Sequence, residues 1–224
     1  MKKVRLRLLL LDYIPMILVG TFIIVAAVIE EQSFFKTLPT LITLLVQLLL
    51  IRVNRFAFLL GGINSALYGF TFISEGLYFS AASALGVNVP IQLCSFFNWS
   101  NHTDGKSNVE LKRLSVKKTL VSIIFSLVGF FIGYYLFIPF FEDSTSPVLD
   151  LISFVLAFVV LIFGAFRYIE SQYISIVSSL ISLVIWVAIC IENPANLNYV
   201  IINLYNLYRA GEAAVIWTKK YMHI

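Results

Sequence analysis

Charge is scarce in this chain of 224 residues: 12% are Asp, Glu, Lys or Arg. A soluble domain carries about 25%, and a water-facing exterior needs that polar surface. Cysteine is scarce too. Cys94 and Cys190 both fall in apolar runs, which excludes a disulfide framework and a metal-ligand spacing. The two histidines, His102 and His223, lie in a loop and at the C-terminal end. No HExxH pair, no Gly-rich phosphate loop with its Lys and no Ser/His/Asp set is present, so an enzyme, a metal site and a built-in ATPase have no support. No cofactor is expected, and no nucleic-acid partner.

Apolar length is what the chain has. It is 60% hydrophobic and 15% aromatic, with mean hydropathy +0.92. A helix crossing a bilayer needs about 20 mostly apolar residues. Runs of that size bounded by polar residues predict about eight transmembrane helices, near 12–29, 36–52, 56–74, 77–98, 119–140, 147–166, 171–191 and 197–218. The fourth is interrupted by Asn88, Pro90, Gln92 and Asn98, and reads as a helix facing the protein interior. The first lacks a small-residue cleavage site and reads as an uncleaved helix rather than a signal peptide.

Cytoplasmic loops collect Lys and Arg. Threading eight spans with the N-terminus inside puts every basic residue except Lys36 and Arg209 on the inner side. Glu30, Glu31, Glu75, Glu142, Asp143, Asp150 and Glu192 then fall outside. Both termini are expected in the cytoplasm. Asn98-Trp-Ser100 and Asn101-His-Thr103 match the glycosylation pattern by chance on that side. The loop 100–118 reads as a solvated basic connector.

The chain also repeats itself. Shifted by about half its length, Gly61-Gly62-Ile63-Asn64-Ser65 lies over Ser178-Ser179-Leu180-Ile181-Ser182, and Trp99 over Trp217. Two three-helix blocks flanking one lone helix must run the same way through the membrane, the parallel-repeat plan of the SWEETs. The expectation is an all-α polytopic membrane protein of 3+1+3 helices plus an extra N-terminal one. Its segments are 1–35 (N-terminus and extra helix), 36–99 (first repeat), 100–118 (loop), 119–141 (linker helix), 142–218 (second repeat) and 219–224 (C-terminus).

Polar residues inside spans are expensive and face a cavity or a partner. They concentrate in four helices, two per block. Gln92, Ser95 and Trp99 share one helical face, as do Ser175, Ser178, Ser179, Ser182 and Trp186, and Tyr199, Asn203 and Asn206. With Asn64, Tyr68, Asn98, Gln172 and Tyr173 these predict a pocket of amides, hydroxyls and rings for a small polar ring-bearing solute. The alternative is that small and polar residues glue helices together. Arg209 and Glu212, three apart in the last span, form a structural or gating pair.

Asn54-Arg55-Phe56 followed by Gly62, Asn64 and Tyr68 resembles the PnuC-type vitamin transporters. So do Pro90, Gln92, Phe97, Asn98 and Trp99; Arg167-Tyr-Ile-Glu170; and Asn203, Tyr205, Asn206, Gly211 and Trp217. The resemblance covers roughly 50–99 and 165–218. It implies a bacterial inner-membrane carrier, trimeric, passing an unphosphorylated vitamin precursor by facilitated diffusion. The vitamin is typically nicotinamide riboside, trapped by a cytoplasmic kinase. Relatives carry thiamine or riboflavin. In one respect the chain departs from it: the family's Trp-x-x-Trp pair at the start of the seventh span matches Gln172 and Ser175 here. A reading of another class is a membrane scaffold or substrate-capture subunit of an ATP-driven importer.

Overall fold

Each apolar run becomes a helix because a lipid-facing segment must satisfy its backbone internally. The computed structural model describes residues 2–102, 109–140 and 146–222, with side chains from Tyr13 onward. Thr103, Lys106, Glu142, Asp143 and His223, which enter the readings above, lie outside the described residues. So do the side chains of Lys2, Lys3, Arg5 and Arg7. The helices are α1 (Lys2–Ile29), α2 (Phe34–Ile51), α3 (Phe56–Ser74), α4 (Tyr78–Ser100), α5 (Val116–Phe140), α6 (Pro147–Ala165), α7 (Glu170–Glu192) and α8 (Leu197–Tyr221). Six of these, α2 to α7, are long and apolar enough to cross a membrane. The apolar stretch of α1 is shorter, Tyr13–Ile29, and α8 carries Asn198, Asn203, Asn206, Arg209 and Glu212.

Local chemistry sets the ends. Ser33 and Ser115 cap α2 and α5, their hydroxyls accepting from the amides of Lys36 and Lys118. The α2–α3 and α6–α7 turns share one motif. After α2, the Val53 and Asn54 amides donate back to Leu50 and Leu49, with Val53 at φ 56°. After α6, the Arg167 and Tyr168 amides donate to Gly164 and Phe163, with Arg167 at φ 68°. Both are Schellman closures with a left-handed residue past the helix end. α4 widens into a π turn over Ser83–Asn88, and Pro90 opens its second half (Val89–Ser100). Extra residues in a helix of this kind are typical of functional sites. α5 contains a second such turn at Gly133–Phe137.

Packing runs in a closed circuit: α2 on α3, α3 on α4, α4 on α6, α6 on α7, α7 on α8, and α8 back on α2. α1 lies outside on α2 and α8, and α5 lies outside on α6. Burial is inverted relative to a soluble protein. Asn64, Gln172, Asn203 and Arg209 are buried, while Phe22, Val28, Val121, Phe125 and Tyr135 are exposed. Of α5, Gly133 is the buried residue.

Asp150, grouped by sequence with the loop acids, is fully buried in the first turn of α6. It accepts from the amides of Phe79 (2.8 Å) and Ser80 (3.1 Å) and from the Ser80 hydroxyl, so it caps the start of α4. The described end of the basic loop is not a solvated connector. Val109 and Leu111 are buried in an apolar cluster with Phe58, Ile169 and Trp217. Lys112 exchanges backbone bonds with Arg167 and Ile169, and the Glu170 carboxylate accepts the Leu114 amide.

Candidate functional site

Between the two halves of the circuit, α2–α4 and α6–α8, lies a cavity of about 160 Å³. Its walls are Val46 and Leu50 of α2, Ala57 and Phe58 of α3, and Val160, Leu161 and Gly164 of α6. Its polar groups are Gln92 of α4 and Ser171 and Gln172 of α7. None of these residues is charged. Gln92 donates from Nε2 to Ser65 Oγ at 2.9 Å. Gln172, buried, has its Nε2 3.4 Å from Ser171 Oγ, a long contact. Two carboxamides and one phenyl ring on an apolar wall suit a small planar solute with hydrogen-bonding groups.

The remaining predicted residues divide by location. Asn64 and Tyr68 of α3 meet at Thr43 of α2, whose Oγ1 accepts from Asn64 Nδ2 at 2.9 Å and lies 3.2 Å from the Tyr68 hydroxyl. Asn64 Oδ1 is buried without a partner. Asn206 pairs with Gln47 at 3.2 Å, joining α8 to α2. Asn203 donates to Tyr199 O in its own helix. Trp186 and Tyr199 stack at 4.2 Å in a cluster with Leu77, Ile185 and Ile189. The Tyr199 hydroxyl donates to Lys36 O at 2.8 Å. At the opposite end, Asn98 and Trp99 donate to Ala165 O (2.7 Å) and Gly164 O (3.0 Å). Ser175 and Ser179 are half-buried on α7. Tyr173 is 47% exposed and its hydroxyl meets Thr218 at 2.6 Å, away from the cavity. Thus, of the predicted set, Gln92 and Gln172 line the cavity together.

Arg209 is fully buried and bonded to Tyr205 and Glu212 at 2.9 and 2.6 Å, a compensated pair. Lys36 pairs with Glu75, which also accepts from Asn196. In the α6–α7 turn, burial pushes the Arg167 guanidinium down, and Glu110 opposes that shift. Among the described residues, no group of His, Cys, Asp and Glu is placed to hold a metal.

Sequence reasoning assigns no site residue to α2, yet Thr43 and Gln47 anchor Asn64 and Asn206. Their signal was available: Thr40, Thr43 and Gln47 recur at helical spacing in an otherwise aliphatic run. Phe58 and Ser171 carried no such signal.

A circuit of apolar-surfaced helices around an uncharged polar cavity agrees with the comparisons. The sequence profile described as "Nicotinamide mononucleotide transporter" matches residues 33–219. The chain belongs to this family. It is therefore a multi-pass membrane protein of a transporter family, which accords with the missing catalytic sets. The fold is similar to that of the "Vitamin B3 transporter PnuC", known from a crystal structure. The TM-score is 0.82 at 21% identity, over 95% of this chain and 92% of that one. A search of curated proteins returns no significant match.

Proposed function

We propose that the chain carries an unphosphorylated vitamin precursor, nicotinamide riboside, by facilitated diffusion across a bacterial inner membrane. The observation that carries this reading is the uncharged lining of the inter-half cavity. A phosphate there would lie in a low-dielectric site with no cation among the lining residues, at high cost. A pyridinium ring is better matched: an aromatic face attracts a cation by about 0.5–2 kcal/mol, and the carboxamides of Gln92 and Gln172 orient its polar groups. Thiamine, with its thiazolium ring, is the second candidate, because Gln172 and Ser175 stand where the resemblance implies a tryptophan pair; riboflavin comes third.

The architecture read here is two parallel three-helix repeats, α2–α4 and α6–α8, joined by α5, with α1 an extra helix: eight spans with both termini cytoplasmic. Trp99 and Trp217, each near the end of one block and each donating to the first helix of the other, support the repeat. Transport alternates access as the halves rock about the cavity. Net uptake then needs a sink, which a cytoplasmic kinase supplies by phosphorylating the vitamin. A homotrimer is what the resemblance to the PnuC-type family implies. A scaffold or capture subunit needing a separate ATPase is the reading of another class.

Titration of the purified protein with nicotinamide riboside, nicotinamide mononucleotide, thiamine and riboflavin tests the choice. Tightest binding of nicotinamide riboside is expected. Tightest binding of the mononucleotide refutes the uncharged-site argument, and a response to thiamine alone reverses the order.

A further inference from the structure

Gly61 and Ser65 stand one turn apart on α3, and the Gln92 side chain of α4 lies across both. Its Nε2 donates to Ser65 Oγ at 2.9 Å. A Cβ placed on Gly61 would overlap Gln92 Oε1 and stand 3.0 Å from its Cδ. The carboxamide thus occupies the volume a side chain at Gly61 would take. Gly62 is different. A Cβ there meets Gln92 Cβ at 3.8 Å and Val89 O at 3.9 Å, ordinary contact. Both glycines are buried in the same helix, so only Gly61 forms the niche.

We infer that Gly61 is a positioning residue: its missing side chain docks the Gln92 carboxamide against α3 and fixes which polar atoms the cavity turns toward solute. The inference rests on the carrier reading for its functional meaning. A methyl at Gly61 meets the far end of a flexible side chain, so the helix stays in place and the amide moves. The cavity it already lines is open to it. There it loses Ser65 and takes volume from a space of about 160 Å³. The same niche sets specificity, because a carboxamide held on one wall presents a fixed donor–acceptor pattern.

The experiment compares Gly61→Ala, Gly62→Ala, Gln92→Ala and Gly61→Ala/Gln92→Ala in the full-length protein. It reads binding of nicotinamide riboside and of thiamine together with thermal unfolding. Both glycine substitutions raise helix propensity alike, so propensity cancels between them. Gly61→Ala is expected to weaken binding about tenfold, the scale of one lost hydrogen bond, while Gly62→Ala stays within about twofold of the parent. Gly61→Ala/Gln92→Ala is expected to bind as Gln92→Ala does, since the methyl then displaces nothing. Parent-like binding by Gly61→Ala, an equal loss in Gly62→Ala, or additive losses in the double variant overturns the inference. If the parent protein binds neither vitamin, the carrier reading fails, and the niche is judged from unfolding alone. There Gly61→Ala must raise the melting temperature less than Gly62→Ala does, and the gap must close once Gln92 is Ala. No gap, or one that persists, overturns it.

Discussion

Trp99 and Trp217 lie with ring centroids 5.6 Å apart, both fully buried, and each donates its indole N–H to the opposite half of the helix circuit. Trp99 Nε1 reaches Gly164 O at the end of α6 at 3.0 Å, and Trp217 Nε1 reaches Leu50 O at the end of α2 at 3.2 Å. The two bonds are a crossed pair, each tying the last helix of one half to the first helix of the other. Phe58, which lines the cavity, packs edge-on against Trp99 at 4.7 Å.

Trp99→Phe and Trp217→Phe keep a ring and remove one donor. Each is expected to cost about 1 kcal/mol, and the two losses should be similar. Trp99→Ala also empties a packed core and should cost about 3–5 kcal/mol. Unfolding of the detergent-solubilised protein measures all three. A stability change confined to one tryptophan contradicts the crossed pair.

Asp150 closes the other end of the α4–α6 contact. Asp150→Ala leaves the Phe79 and Ser80 amides without their acceptor, for about 1–3 kcal/mol. Asp150→Asn keeps one side-chain oxygen and should lose less. Equal losses in the two variants argue against a capping role.

Much of this organisation is legible in the sequence. From α2 to α8 the helix limits agree within a few residues because each apolar run ends at a polar turn, as at Arg52 to Arg55; α1 begins at Lys2 and not near residue 12, its charged first turns extending the helix ahead of the apolar run. The Arg209–Glu212 pair follows from spacing alone. What periodicity withholds is the direction a polar face takes. Gln172 and Tyr173 are neighbours, but successive helical residues turn about 100°, so one lines the cavity while the other meets Thr218 at the surface. Trp99 shares a face with Gln92, yet its distance along α4 carries it past the cavity into the cluster below. Asn64 and Asn206 read as site groups; the spacing of Thr40, Thr43 and Gln47 marks a polar face on α2, but not which residues of α3 and α8 it meets.

Thr43→Val tests that junction. The swap keeps shape and removes the oxygen that accepts from Asn64 Nδ2. Asn64 Oδ1 already lacks a partner, so the whole carboxamide becomes unpaired in a buried place. A loss of about 1–3 kcal/mol is expected, and Asn64→Leu placed on Thr43→Val should recover part of it. Failure of that recovery refutes the pairing as the cause.

Gln172→Ala removes one of the two carboxamides that line the cavity. Binding of nicotinamide riboside should weaken about tenfold, since about 1.4 kcal/mol is lost with a hydrogen bond to solute. Tyr173→Phe, whose hydroxyl points to Thr218, should leave binding unchanged. Titration of both variants separates a cavity-lining role from a surface one.

Uptake by this chain alone, reconstituted in proteoliposomes without nucleotide or any second protein, tests the central claim most directly. Labelled nicotinamide riboside should equilibrate down its gradient, and the mononucleotide should be excluded. Uptake that appears only after an ATPase subunit is added, or that favours the mononucleotide, contradicts it.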